Sequence, residues 1–197
     1  MSPVELPDRL RQNRGLRQLG LRTGLVPPRT THSAAESGLL HRLATGRRRA
    51  VGIGVHEGAA ALVLVAALPQ GADLHLVDPT EGSEAVRALV GRAAKRRGGP
   101  RLHWHGDDPK NVAAGWSAPV DLVLIDGDHE RDACRADWDL WSPHVRTGGV
   151  VAFHGARGGD PGPTAVVAEL FGAGDPPGWR VLAERDTIVA AERLADT

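Results

Sequence analysis

Apolar positions along this chain gather into short runs at about residues 49–55, 72–78, 101–105, 120–126 and 148–154. Each run is too short for a helix, several are rich in β-branched residues, and all five read as strands. Stretches near 57–68, 82–97, 130–142 and 164–172 alternate with them and read as helices. Strands separated by crossover helices must run parallel, so the rhythm predicts a parallel sheet covered by helices on both faces. The segment WRVLAERDTIVAAER, residues 179–193, breaks the rhythm. Its two extended runs meet at Asp186 and Thr187 with no room for a crossover, which predicts an antiparallel hairpin. The sum is a doubly wound α/β sheet of seven strands, mostly parallel, with an antiparallel C-terminal hairpin strand.

Upstream, Ser33 and Glu36 have capping-box spacing, Leu39, Leu40 and Leu43 supply a buried face, and Gly46 suits a helix end. That helix opens the main domain, residues 33–197. Residues 1–32 read as an N-terminal arm, a lid or a dimer contact, punctuated by Pro3, Pro7, Pro27 and Pro28. Leu6, Leu10, Leu16 and Leu19 would form its apolar stripe, weakened by Gly15.

Composition narrows the function. The 24 basic and 24 acidic residues of this 197-residue chain cancel, so there is no global electrostatic footprint for nucleic acid or an anionic membrane. The runs Arg47–Arg49 and Lys95–Arg97 close predicted helices, where cations meet the negative end of the dipole. No run approaches the roughly 20 apolar residues of a membrane span, and the start lacks a signal-peptide core. The lone Cys134 falls in a helix and reads as a structural thiol, consistent with a cytoplasmic setting.

Chemistry concentrates where strands end. The run at 120–125 delivers Asp126, Asp128 and His129, and the run at 150–153 delivers His154. Carboxyl ends of parallel strands are where ligands bind in such sheets. Gly52, Gly54 and Gly58 allow a tight turn against a helix N-terminus, and Asp78, ending LHLVDP, could hold both hydroxyls of a ribose. Asp107 could accept from an adenine amino group, with turn capping the alternative for both aspartates. The turn is not Gly-x-Gly-x-x-Gly, because Glu57 stands in the last glycine's place, where it would repel a pyrophosphate. The cofactor implied is adenosine-containing and cationic at its reactive end. A nicotinamide oxidoreductase is the weaker alternative.

Residues 33–193 resemble the Rossmann-like class I S-adenosylmethionine-dependent methyltransferases. More narrowly, VGIGVHEGAAA, LHLVDPT, LVLIDGDHERDACRADWDLWSPHV and GGVVAFHG are similar to small bacterial O-methyltransferases of the macrocin O-methyltransferase-like group. The similarity to catechol and caffeoyl-CoA O-methyltransferases is more distant. The resemblance implies Gly54 and Gly58 lining the cofactor, Asp78 on its ribose, Asp107 near adenine, and Asp126 both beside the cofactor and at a divalent-metal position. It sets His129 where the catechol-type enzymes hold a catalytic lysine. Two departures stand out. Gly52 occupies a usually acidic position that contacts the methionine part of the cofactor, and His154-Gly155 replaces a common His-Asp.

Methyl transfer to a hydroxyl requires alignment and loss of a proton. His129 is the expected base, with helix capping its alternative, and His154 is a second candidate. Asp126 and Asp128 could bind Mg²⁺ or Mn²⁺, a site weakened by Gly155 and expected to gain from an aspartate there. His103 and His105, like Trp138 and Trp141, are expected in packing roles. The expected activity is O-methylation of a small molecule such as a natural-product sugar or aromatic group. The competing reading is a catalytically weakened relative that binds a ligand or partner.

Overall fold

The computed structural model describes residues 13–80 and 82–195. Seven strands, β1 (Arg49–Ile53), β2 (Asp73–Val77), β3 (Arg101–His105), β4 (Val120–Ile125), β5 (Val145–Phe153), β6 (Trp179–Arg185) and β7 (Ile188–Arg193), form one sheet in the order β3-β2-β1-β4-β5-β7-β6. Every pairing from β3 to β5 is parallel, and β7 runs antiparallel to both β5 and β6. The alternation of strand and helix therefore produces the predicted Rossmann-like, doubly wound sheet. Its chain order reverses between β1 and β4, which opens a crevice at their carboxyl ends.

Among the described residues seven α-helices accompany the sheet: α1 (Arg14–Thr23), α2 (Ala34–Ala44), α3 (Ala59–Ala67), α4 (Glu84–Arg97), α5 (Pro109–Ala114), α6 (Arg131–Trp141) and α7 (Pro161–Phe171). Leu39, Leu40, Leu43, Leu64, Val86 and Val90 build the core on one face, and Trp138, Trp141, Phe153 and Val166 anchor the other. Trp138 and Trp141 are thus core residues, and Cys134 is buried beside them, its thiol pushed up to about 12 by burial and by Asp137. No helix among the described residues is long and apolar enough to cross a membrane.

Three boundaries differ from expectation. Helix α5 is absent from the predicted elements, because six residues of PKNVAA carry no periodicity. Strand β5 starts at Val145, and Arg146, Thr147 and a left-handed Gly148 hide its first residues. Helix α7 starts at Pro161, since proline in the first turn sacrifices no hydrogen bond.

The arm stripe is also corrected. Leu21 and Gly20 are the buried residues of α1, Leu16 and Leu19 face solvent, and Leu6 and Leu10 lie outside the described residues. Helix α1 is held against α4 by the Ser83 hydroxyl donating to Gln18 Oε1 and Arg92 donating to the Leu21 carbonyl. The capping box of α2 forms as predicted. Its Glu36 carboxylate is buried and also accepts from the Thr187 amide (2.8 Å) and hydroxyl (2.5 Å) in the β6–β7 turn.

Candidate active site

At the crevice, Gly54 has φ +82°, and a Cβ there would lie 2.1 Å from the Asp126 carbonyl oxygen. Only glycine lets the end of β1 pass the end of β4 so closely. His56, two residues on, adopts φ +50° and brings its Nε2 to 3.0 Å from the same carbonyl. Its side chain separates two cavities. One, of about 450 Å³, is lined by Gly54, Asp78, Thr80, Asp108, Lys110, Asp128 and Asp137. The other, of about 520 Å³, is lined by Arg29–His32, Glu57, Asp126 and His129. Both fall in the size range of small-molecule pockets.

The smaller cavity is strongly acidic. Asp78 is buried, and its carboxylate accepts from the amides of Val55 (2.9 Å), His56 (3.3 Å) and Thr80 (2.9 Å) and from the Thr80 hydroxyl (2.5 Å). Burial would raise its pKa, but these donors hold it below the usual value. Asp78 therefore braces the 54–56 turn, and a ribose would reach it by sharing or displacing the Thr80 hydroxyl. Asp137 comes from α6 and is buried. Burial and the nearby Asp108 push its carboxyl up to about 7, with Asp128 adding and Lys110 opposing.

Four expected cofactor contacts are not in this lining, and one of them, Asp126, lines the other cavity. A Cβ at Gly52 would touch Leu64 and Leu76, so that position faces the core beneath α3, where an acidic side chain would be buried among leucines. Gly58 serves helix packing, its Cβ position lying 3.1 Å from Val86 and Val90. Asp107 caps its own turn, accepting from Asn111 Nδ2 and the Asp108 amide, and Asp108 takes the place at the cavity. The role inferred for Glu57 also changes. Arg17 grips its carboxylate through two nitrogens and the Arg29 amide donates at 2.6 Å, so its charge is neutralised and ties down the arm.

The larger cavity holds the imidazoles. Asp126 Oδ1 lies 2.9 Å from His154 Nδ1 and 3.8 Å from His129 Nε2, while Asp126 Oδ2 lies 3.4 Å from His32 Nε2. His32 and His154 meet edge to face, with ring centroids 4.2 Å apart. Burial opposes ionisation of Asp126, yet the surrounding imidazoles, led by His129 and His154, hold its carboxyl at about 2. His32 is pushed down by burial against the pull of Asp126. His129 Nδ1 sits 2.6 Å from Asp160 Oδ2, and Asp126 and Asp160 raise its imidazole above the ordinary value against the effect of burial.

The Mg²⁺-type oxygen set expected from Asp126 and Asp128 does not assemble. Asp128 turns into the smaller cavity and accepts from the Glu130 amide, away from the Asp126 cluster. Gly155 has φ +73°, and a Cβ there would lie 2.6 Å from Asp160 Oδ2. An aspartate at 155 would therefore be strained and would displace Asp160 from His129, so the expected gain in metal binding from that substitution is withdrawn. Asp160 already fills the space a longer residue 155 would claim.

Strand-end reading found Gly54, Asp78, Asp126, His129 and His154. It missed His32, Asp137 and Asp160. His32 directly precedes the Ser33 cap, and that adjacency to a firmly fixed helix start was the available signal. Asp137 was hidden inside an amphipathic helix, and Asp160 inside a glycine- and proline-rich loop.

A family profile described as Methyltransferase domain matches residues 51–156. Among solved structures, an O-methyltransferase from Bacillus cereus in complex with SAH superposes with a TM-score of 0.65 at 17% identity, covering 98% of this chain and 93% of that one. The O-methyltransferase TomG from Streptomyces achromogenes, involved in tomaymycin synthesis and solved with SAM, gives 0.65 at 20% identity over 98% and 92%. An rRNA methylase from Streptococcus thermophilus gives 0.56 at 12% identity over 85% and 100%. At these identities the structural likeness concerns the fold.

Proposed function

The chain belongs to the methyltransferase domain family, and from that premise we propose that it is an S-adenosylmethionine-dependent O-methyltransferase acting on a small hydroxylated molecule. The observation that carries the cofactor is the acidic cavity beside the Gly54 turn. Asp78, Asp108, Asp128 and Asp137 face one lysine, Lys110, which favours a ligand bearing a sulfonium and an ammonium and disfavours the pyrophosphate of a nicotinamide dinucleotide. The zero net charge supports a small acceptor over RNA.

When bound, S-adenosylmethionine supplies an electrophilic methyl group on a positively charged sulfur. The protein's own part is to hold the acceptor in line and remove its proton. His129 lines the larger cavity and is oriented by Asp160 through Nδ1, leaving Nε2 as the proton acceptor. His129 would take the hydroxyl proton as the acceptor oxygen gains the methyl group that the cofactor would give up as a thioether. Arg29, Thr30 and Thr31 form the wall that would shape the acceptor site. The reading of a weakened, purely binding relative rested on Gly52 and Gly155, and both now have packing reasons.

Calorimetry with S-adenosylmethionine, its demethylated product and NAD tests the cofactor, and product detection across sugar and phenol acceptors tests turnover. Binding of the two sulfur compounds with negligible NAD affinity is expected. Preferential NAD binding would remove the proposal.

A further inference from the structure

We propose that His32, Asp126 and His154 form a binding site for a borderline transition-metal ion, of which Zn²⁺ is the type, in place of the Mg²⁺ oxygen site that the chain's resemblance implies. This goes beyond the methyltransferase reading and does not depend on it.

Four buried side-chain atoms lack a hydrogen-bond partner among the described residues, and three of them are His32 Nε2, Asp126 Oδ1 and His154 Nδ1. Buried polar atoms are normally satisfied, so three unsatisfied ones converging on a point need a reason. The three residues each offer one ligand atom, all within 4.8 Å of one another, and all three are buried. Ligands held about 2.0–2.1 Å from a tetrahedral ion stand about 3.4 Å apart, so side-chain adjustments that widen the His154–Asp126 separation and draw the longest separation in would complete the site. Although 2.9 Å separates His154 Nδ1 from Asp126 Oδ1, the two groups meet at an angle unsuited to a hydrogen bond.

The donor set decides the metal. Two imidazoles and one carboxylate suit Zn²⁺, Fe²⁺ or Co²⁺, whereas Mg²⁺ demands oxygen ligands and dehydrates reluctantly. Asp128 is turned away and Gly155 has no side chain, so no further carboxylate competes. Three protein ligands leave a position toward the larger cavity, which Asp126 and His32 line beside His129. That open position is the mark of a reactive rather than a closed structural site.

The site is also held from outside. Ser33 donates to Asp186 and Glu36 accepts from Thr187, which fixes the start of α2 immediately after His32. The Thr187 carbonyl accepts from the Ala156 amide at 2.8 Å, fixing the chain two residues after His154. One turn thus sets the spacing of two ligands that are distant in sequence.

The test is to strip the purified full chain with chelator and titrate it with Zn²⁺, Co²⁺ and Mg²⁺ by competition calorimetry, with the visible absorption of Co²⁺ as a second readout. One equivalent of Zn²⁺ should bind at least 100-fold more tightly than Mg²⁺, and Co²⁺ should show the spectrum of a low-symmetry nitrogen- and oxygen-ligated site. His32→Ala and, separately, His154→Gln should each weaken Zn²⁺ binding by about 100-fold or more and change the Co²⁺ spectrum. His103→Ala, at a half-buried histidine on β3 paired with Asp73, should do neither. Circular dichroism checks that the variants fold. Mg²⁺ binding as tight as Zn²⁺, or Zn²⁺ affinity unchanged in folded His32→Ala, would overturn the assignment.

Discussion

At the level of single residues, the site is a set of carboxylates with opposite fates. Asp126 is ionised because imidazoles surround it, and Asp137 resists ionisation because burial and acidic neighbours do. An unfolded aspartate titrates near 3.8 and the native Asp137 near 7, so between those values only the unfolded chain gains charge. Native stability should therefore fall as pH rises from about 4 to 7 and stay reduced above it. Asp137→Asn should raise the unfolding free energy at pH 8 by on the order of 2–4 kcal/mol, with the gain shrinking toward pH 4. Urea denaturation of both proteins at several pH values measures this, and a gain independent of pH would contradict it. His129 has a different test. His129→Gln keeps a polar side chain without a neutral-pH base, and should lower turnover by about 10² to 10⁴ while leaving cofactor affinity nearly unchanged. Single-turnover kinetics separates chemistry from release. Near wild-type chemistry in that variant would reduce His129 to a helix-start residue.

Among the elements, the arm has the clearest job. The Arg17–Glu57 pair and the Arg29 amide draw α1 and the 27–32 segment onto the start of α3, and so build one wall of the larger cavity. Arg17→Ala should raise the acceptor KM by roughly tenfold, a loss of about 1.4 kcal/mol in a charge-assisted contact, and leave cofactor affinity unchanged. It should also speed tryptic cleavage between residues 14 and 32. Equal KM values would separate the arm from substrate binding. Strands β4 and β5 were readable because each carries a buried apolar run with an abrupt polar end, and the antiparallel hairpin because its turn is too short for anything else. What escaped was set by contacts that local pattern does not encode. Six residues at α5 are too few to show a period, and the apolar stripe read through Leu16 and Leu19 gave way to Leu21 because α1 docks on α4 through a different side. The boundary drawn at residue 32 was a good helix start, yet it separated His32 from the domain whose site it enters.

For the whole molecule, the strand-end logic that located Asp126, His129 and His154 worked because a doubly wound sheet gathers its strand ends at one rim. It could not find His32 or Asp160, which reach that rim from outside the strands. His32 is placed by long-range closure, and Asp160 by a local turn in which its amide donates to the Gly155 carbonyl. The Asp186–Thr187 turn is the farthest of these closures, since Ser33 and Asp186 are 153 positions apart along the chain. Such a contact costs more loop entropy than any local one. During synthesis from the N-terminus, the first 185 residues could emerge and begin to collapse while His32 and His154 still lack their common brace. Competence of the site would then be the last property the nascent protein acquires, so that a partly made chain exposes no finished metal pocket to the ions around it.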